Sequence, residues 1–125
     1  VGLFSNAHGD IVHTFIGWNP DHPKPNNVRW ALAVTGAALL TRTGLWKRIG
    51  GFDPDYGVGT YEDVDYCMMA RALGYDIIIN TKATGFHYTN ATAIAEKINY
   101  PLEFNKLTFL RRWGMHLAYT EWMVL

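Results

Sequence analysis

The stretch Thr60-Tyr-Glu-Asp-Val-Asp65 places the carboxylates of Glu62, Asp63 and Asp65 within four positions, directly after a glycine-rich loop. A carboxylate there can take a proton from a hydroxyl as a general base, or ligate a divalent metal. A plainer structural reading competes. Thr60 followed three residues later by Asp63 resembles a capping box whose acid is one carbon short. Acids in a first helical turn also suit the helix dipole. His87 lies further along, and a neutral imidazole beside carboxylates can complete a metal shell. A lone histidine is more often a surface or core residue with a satisfied partner. His8, His13, His22 and His116 have no metal-ligand spacing and receive no role.

Other segments carry weaker signals. Gly50-Gly51-Phe52-Asp53 reads as a loop gripping a ligand, or as a helix stop followed by a type I turn at Asp53-Pro54-Asp55, with Phe52 packed into the core. Tyr56-Gly-Val-Gly-Thr60 is too loose for a phosphate loop, and no dinucleotide fingerprint occurs. Trp18, Trp30 and Trp46 are candidates to stack on sugar rings, though core packing is the commoner use of such residues. Asn90-Ala91-Thr92 matches a glycosylation sequon. The opening Val-Gly-Leu-Phe lacks a signal peptide's basic region, so the match is read as chance.

The elements that must position these residues follow from pattern. Val1 to Ser5 and Ile11 to Gly17 flank the turn cluster Asn6 to Asp10 and predict a hairpin. Trp18 to Asn27 is a long proline-bearing loop. Arg29 to Arg42 reads as two strand segments bent at Gly36, the second being Ala37 to Thr41. Thr43 to Ile49 predicts a short helix, with Thr43 as N-cap and Gly50 as the stop. Thr60 to Leu73 is the strongest helix, with Tyr61, Val64, Cys67, Met68 and Ala72 on one face and Gly74 ending it. Ile77-Ile-Ile79 suggests a buried strand, and Thr84 to Tyr88 another short one. Ala93 to Trp113 is helical with a break at Pro101, and Met115 to Leu125 suggests a last helix.

Composition narrows the class. The chain has 125 residues, room for one domain. Hydrophobic residues make up 49% and charged ones 18%, the latter below the ~25% typical of soluble domains. A surplus of apolar surface asks for a partner or ligand to cover it. Net charge is zero, which argues against a nucleic-acid partner. Cys67 is the single cysteine, so no intrachain disulfide forms. The longest apolar stretch, Ala31 to Leu40, is interrupted by Thr35 and Gly36 and is too short for a membrane span.

Taken in order, the motifs Val34-Thr-Gly-Ala-Ala-Leu-Leu-Thr-Arg42, Gly50-Gly-Phe-Asp53, Tyr61-Glu-Asp-Val-Asp-Tyr-Cys67, Arg71-Ala-Leu-Gly-Tyr75 and Ala83 to His87 closely resemble the second half of family 2 glycosyltransferases, especially rhamnosyltransferase-like members. Gly9-Asp-Ile-Val-His-Thr14 resembles the stretch just after that family's metal-binding DXD motif. The resemblance spans residues 1–90, leaving 91–125 as a C-terminal helical tail. It implies an α/β fold, the C-terminal half of a GT-A-type domain with a mixed β-sheet and flanking helices. It implies inverting transfer from a nucleotide sugar to a saccharide or lipid-linked acceptor. Asp63 matches the catalytic base, with Glu62 orienting it or binding acceptor hydroxyls. Thr35, Gly36 and Ala37 would line the floor below the donor sugar, Gly51 and Phe52 the acceptor loop, and Asp65 would join the substrate contacts. His87 matches a residue that helps bind metal or diphosphate.

The resemblance implies Mg²⁺ or Mn²⁺ for a complete enzyme, in the cytoplasm or at the inner face of the membrane. The family's nucleotide-binding strand and helix and its DXD motif do not occur in these 125 residues; Asp53-Pro-Asp55 spells D-x-D but follows the acceptor-loop glycines. The chain is therefore expected to be an incomplete, by itself inactive, enzyme that dimerises or swaps elements to cover an exposed sheet edge. Two rivals stand beside this expectation. One is a non-catalytic half-domain that binds carbohydrate. The other is a metal-dependent hydrolase using Glu62, Asp63, Asp65 and His87, against which the lack of a second ligand cluster counts.

Overall fold

The computed structural model of the chain describes residues 2–6, 9–88 and 91–120. Asn90 of the sequon and residues 121–125 of the expected last helix lie outside them. The predicted hairpin forms: β1 (Gly2–Ser5) pairs antiparallel with β2 (Ile11–His13), Leu3 opposite His13 and Ser5 opposite Ile11. Its turn closes locally, with the Asp10 N–H donating to Asn6 Oδ1 at 3.0 Å. β3 (Arg29–Trp30) and β4 (Ala33–Val34) follow the long loop. β4 pairs antiparallel with the other edge of β1, giving the order β2-β1-β4.

The second predicted strand segment, Ala37 to Thr41, does not form. Thr35 stays extended and its hydroxyl accepts from the Ala37 N–H, turning the chain into a 3-10 segment, Gly36–Ala38. Alanines offer a strand little side-chain packing, so a local cap decides the outcome. Helix α1 (Thr43–Ile49) ends as expected at Gly50, left-handed at φ 95°, whose N–H donates to the Trp46 carbonyl at 2.9 Å. Thr43 is its first residue; Arg42 occupies the cap position. Asp53 caps a second 3-10 segment, Pro54–Tyr56, through its own carboxylate and the Asp55 N–H at 2.9 Å, as the Asp-Pro-Asp turn foretold.

Helix α2 (Glu62–Ala72) starts two residues later than the pattern suggests. It buries Val64, Cys67 and Met68, while Ala72 stays exposed. It packs on β4, and α1 packs on it. β5 (Ile78–Ile79) pairs antiparallel with β3 in a separate two-residue ribbon. Ile78 and its cross-strand partner Trp30 are exposed, so the apolar run is no buried strand. A two-strand ribbon has one face left for solvent. Thr84 to Tyr88 is irregular and exposed. Every ladder among the described residues is antiparallel, so the expected mixed sheet gives way to small antiparallel ones with helices.

α3 (Ala91–Glu96) and α4 (Leu102–Thr120) are separated by the predicted break at Pro101. α4 inserts Phe109 and Leu117 into the same core as Leu3, Ala33, Tyr56, Val64, Cys67 and Met68. No helix among the described residues is long and apolar enough to cross a membrane.

Candidate functional site

The site is built where the turn after β4 meets the start of α2. Asp63 is held at both oxygens: Oδ2 accepts the Gly36 N–H and Oδ1 the Val64 N–H, each at 2.8 Å. Gly36 lies close against the site, with room for no more than a methyl group in contact. A methyl group there would sit 3.4 Å from both Asp63 Cβ and the Phe52 ring. Phe52 packs edge-on against Trp46 and Tyr66, with ring centroids 5.1 and 5.9 Å away. Behind it, Gly51 is buried at φ 80°, and a methyl group on it would lie 2.8 Å from the Trp46 ring. The structure thus brings Thr35, Gly36, Phe52 and Asp63 together. Ala37 is exposed on the adjoining turn.

Asp63 and Thr35 face an open depression of about 290 Å³, lined also by Asp10, His13, Thr60 and Tyr61. Asp10 and His13 come from the hairpin, and Lys106 on α4 forms an ion pair with Asp10. Burial pushes the Tyr61 phenol up from its ordinary value. Sequence reasoning missed Asp10 and His13 as members of the site. Their signal was the hairpin itself, which carries them beside the neighbour of β4. A larger cleft of about 520 Å³ lies between the Thr35–Arg42 segment and β5, lined by Leu39, Tyr66, Tyr75 and Ile77 among others. It is mostly apolar, with Asp76 its one carboxylate.

Glu62 and Asp65 turn away from it. The Glu62 carboxylate lies beside Gly59, where a methyl group would be 3.7 Å from Oε1. Its Oε2 is buried without a hydrogen-bond partner. Burial raises its pKa, and the charge of neighbouring Asp63 adds to the rise. Asp65, expected among the substrate contacts, is instead a buried hub at 3% exposure. Its Oδ1 accepts from the Tyr56 hydroxyl at 3.0 Å and Trp113 Nε1 at 2.7 Å, and Arg112 donates to both its oxygens at 2.9 Å. Arg112 reaches Asp53 at 2.9 Å as well. Burial, followed by the Asp65 charge, drives the Tyr56 phenol far above its ordinary range. A carboxylate so buried and so fully engaged with Tyr56, Arg112 and Trp113 is not presented to a ligand.

The backbone leading into α2 is strained. Thr60 and Tyr61 both have positive φ, 78° and 68°. For non-glycine residues this costs ~1–3 kcal/mol each and persists only where the surroundings impose it. The expected Thr60–Asp63 capping box therefore does not form. Asn105 of α4 spans the turn: its buried Nδ2 reaches the carbonyls of Tyr56, Gly59 and Thr60 and the Thr60 hydroxyl at 2.8–3.1 Å.

His87 is exposed in the segment after β5. Among the described residues no group of three or more His, Cys, Asp or Glu side chains has the geometry to hold a metal ion. Both Asp63 oxygens face N–H donors. The Mg²⁺ or Mn²⁺ expected from the resemblance thus has no ligand set among these residues. Comparison with protein-family models, curated proteins and solved structures gives no match.

Proposed function

We propose that this chain forms the acceptor side of an inverting glycosyltransferase, with Asp63 as the base that deprotonates the acceptor hydroxyl. The observation that carries the reading is the Gly36 N–H to Asp63 Oδ2 bond at 2.8 Å, across 27 residues. It joins two of the five motifs that carry the family resemblance, Val34-Thr-Gly-Ala and Tyr61-Glu-Asp-Val-Asp. Direct displacement at an anomeric carbon needs one base opposite the leaving group. The acceptor O–H gives its proton to Asp63, the oxygen bonds to the anomeric carbon, and the bond to the nucleoside diphosphate breaks with inversion. The fixed carboxylate supplies the orientation such a step needs. Phe52 offers a ring edge beside it, and Thr35 a hydroxyl, for holding a sugar.

The test is a titration of the ¹⁵N-labelled chain with a panel of mono- and disaccharides, followed at the amides of Gly36, Phe52 and Asp63. At least one saccharide is expected to shift all three saturably, and Phe52→Ala to weaken it. Asp63→Asn should keep that binding within ~3-fold. It should lower transfer ~10²- to 10⁴-fold once the chain is joined to a nucleotide-sugar-binding partner domain. If no saccharide moves these amides, the proposal fails. Binding with no transfer under any donor points instead to a carbohydrate-binding domain without catalysis.

A further inference from the structure

We propose that Asn105 is a positioning residue for Asp63, holding in place the strained turn that aims its carboxylate at Gly36. The proposal rests on the reading of Asp63 as the base, but its test can fail separately. Asn105 is fully buried on α4, in contact with a loop 45 to 49 residues away in sequence. Four oxygens converge on its Nδ2, at 2.9 Å from Tyr56 O, 2.8 Å from Gly59 O, 3.0 Å from Thr60 O and 3.1 Å from Thr60 Oγ1. An amide nitrogen has two N–H groups, so these bonds are shared, and no acceptor atom could stand in its place. The amide oxygen Oδ1 is buried with no partner. The bonds Asn105 makes with the loop all run through its nitrogen.

What the nitrogen does is fix a backbone that the sequence by itself disfavours. Gly57, Gly59, Thr60 and Tyr61 all have positive φ. Glycine tolerates this; threonine, branched at Cβ, does not. The Tyr61 carbonyl then accepts the Asp65 N–H at 2.9 Å and starts α2. Asp63 sits in that first turn, so its direction toward Gly36 is set by the geometry of Thr60 and Tyr61. If the turn relaxed to negative φ, the first turn of α2 would rotate and the bond to Gly36 would be lost.

The experiment is amide hydrogen exchange on the full chain, comparing Gly36 with core amides such as Cys67 and Met68. Asn105→Asp keeps the shape but replaces the donor with an acceptor, and Asn105→Ala removes both. The expected result is that Gly36 loses at least tenfold more protection than the core amides. Adding Thr60→Gly to Asn105→Ala should restore at least half of the lost protection, because glycine adopts the turn unaided. A residue that merely stabilises the fold lowers Gly36 and core amides alike and is not rescued by glycine, and either result overturns the proposal. Should Asn105→Ala alone fail to fold, the double variant decides: a folded, Gly36-protected chain supports the proposal and an unfolded one refutes it. If Gly36 protection depends on Asn105 while saccharides move no site amide, the positioning role stands and the glycosyl-transfer reading falls.

Discussion

Replacing Asp65 by Asn separates a structural hub from a substrate contact. The carboxylate is 3% exposed and accepts from Tyr56, Arg112 and Trp113 at 2.7–3.0 Å. Asn keeps the shape and one acceptor oxygen, so the bonds to Tyr56 and Trp113 can survive in part. Its amide nitrogen, however, now faces the Arg112 guanidinium, and the charge is gone. Removing one partner of a buried ion pair costs ~3–5 kcal/mol, mainly because the other charge is stranded. Arg112 is not wholly stranded: its side chain is 35% exposed and still reaches Asp53 at 2.9 Å. That places the expected loss at the low end, ~3 kcal/mol. For a domain of this size the melting temperature should drop by about 10 °C. Urea denaturation followed by tryptophan fluorescence measures the free energy, and circular dichroism the melting point. A double-mutant cycle with Arg112→Gln should return a coupling of ~1–3 kcal/mol. A loss under ~1 kcal/mol with no coupling would refute the reasoning. It would mean that the network behaves as a surface pair and that Asp65 is free for a ligand.

Gly51→Ala forces an L side chain to φ 80° and puts its Cβ 2.8 Å from the Trp46 ring; the expected destabilisation is ~2–3 kcal/mol by urea unfolding. Gly44→Ala, in α1 with nothing within 4 Å, serves as the control and should be neutral or stabilising by up to ~1 kcal/mol. Glu62 has a folded-state pKa above its ordinary 4.5 because it is buried. Its protonated form therefore suits the fold, and the associated stability is present below pH 4.5 and lost as pH rises through the folded value. Glu62→Gln should remove that slope, and parallel pH–stability profiles for the two proteins would contradict the burial argument. Cys67 is 1% exposed, with its thiol pushed up to about 11 by burial. A disulfide reagent at pH 8 should modify it at least ~10²-fold more slowly than free cysteine, with a rate that rises in step with urea-induced opening; fast labelling in the absence of urea would show that the core around it is open.

Much of the fold was legible because short-range chemistry decided it. Gly50 stops α1, Asp53 caps the Asp-Pro turn, Pro101 divides α3 from α4, and the turn cluster around Asn6 and Asp10 closes the hairpin. Gly50, Asp53 and Asn6 each make the bond that enforces the feature they signal, and Pro101 acts by having no N–H to donate. The misread positions depend on partners far away in sequence. Thr60 looked like a cap for Asp63, but a side-chain cap typically has extended backbone, whereas Thr60 has positive φ and bonds Asn105, 45 positions away. Asp65 looked like one more acid of a reactive cluster, yet its donors Arg112 and Trp113 lie 47 and 48 residues on. The Ile77 to Ile79 run carried the apolar signal of a buried strand. Pairing only with the two residues of β3 leaves Ile78 in solvent.

The Thr60 and Asp65 errors share one source, which is α4. Asn105, Phe109, Arg112 and Trp113 fall at i, i+4, i+7 and i+8 and so occupy one helix face. Read for hydrophobic pattern, that face is interrupted by an amide and a guanidinium and gives a poor core stripe. It is nevertheless the face that packs inward, since Asn105 and Phe109 are both fully buried. The surface it meets explains the polarity. It is a loop whose carbonyls at Tyr56, Gly59 and Thr60 turn toward α4, followed by the Asp65 carboxylate, and such groups require donors when buried. Asn105 and Arg112 supply them two helical turns apart, one before and one after Asp63 in the segment they grip. The motif that resembles a catalytic centre, Tyr61 to Cys67, thus depends for its backbone shape on a helix outside the region of resemblance. A reading confined to residues 1–90 singles out Asp63 and contains its two N–H donors, Gly36 and Val64, but the donors to the turn before it and to Asp65 after it lie in residues 91–120.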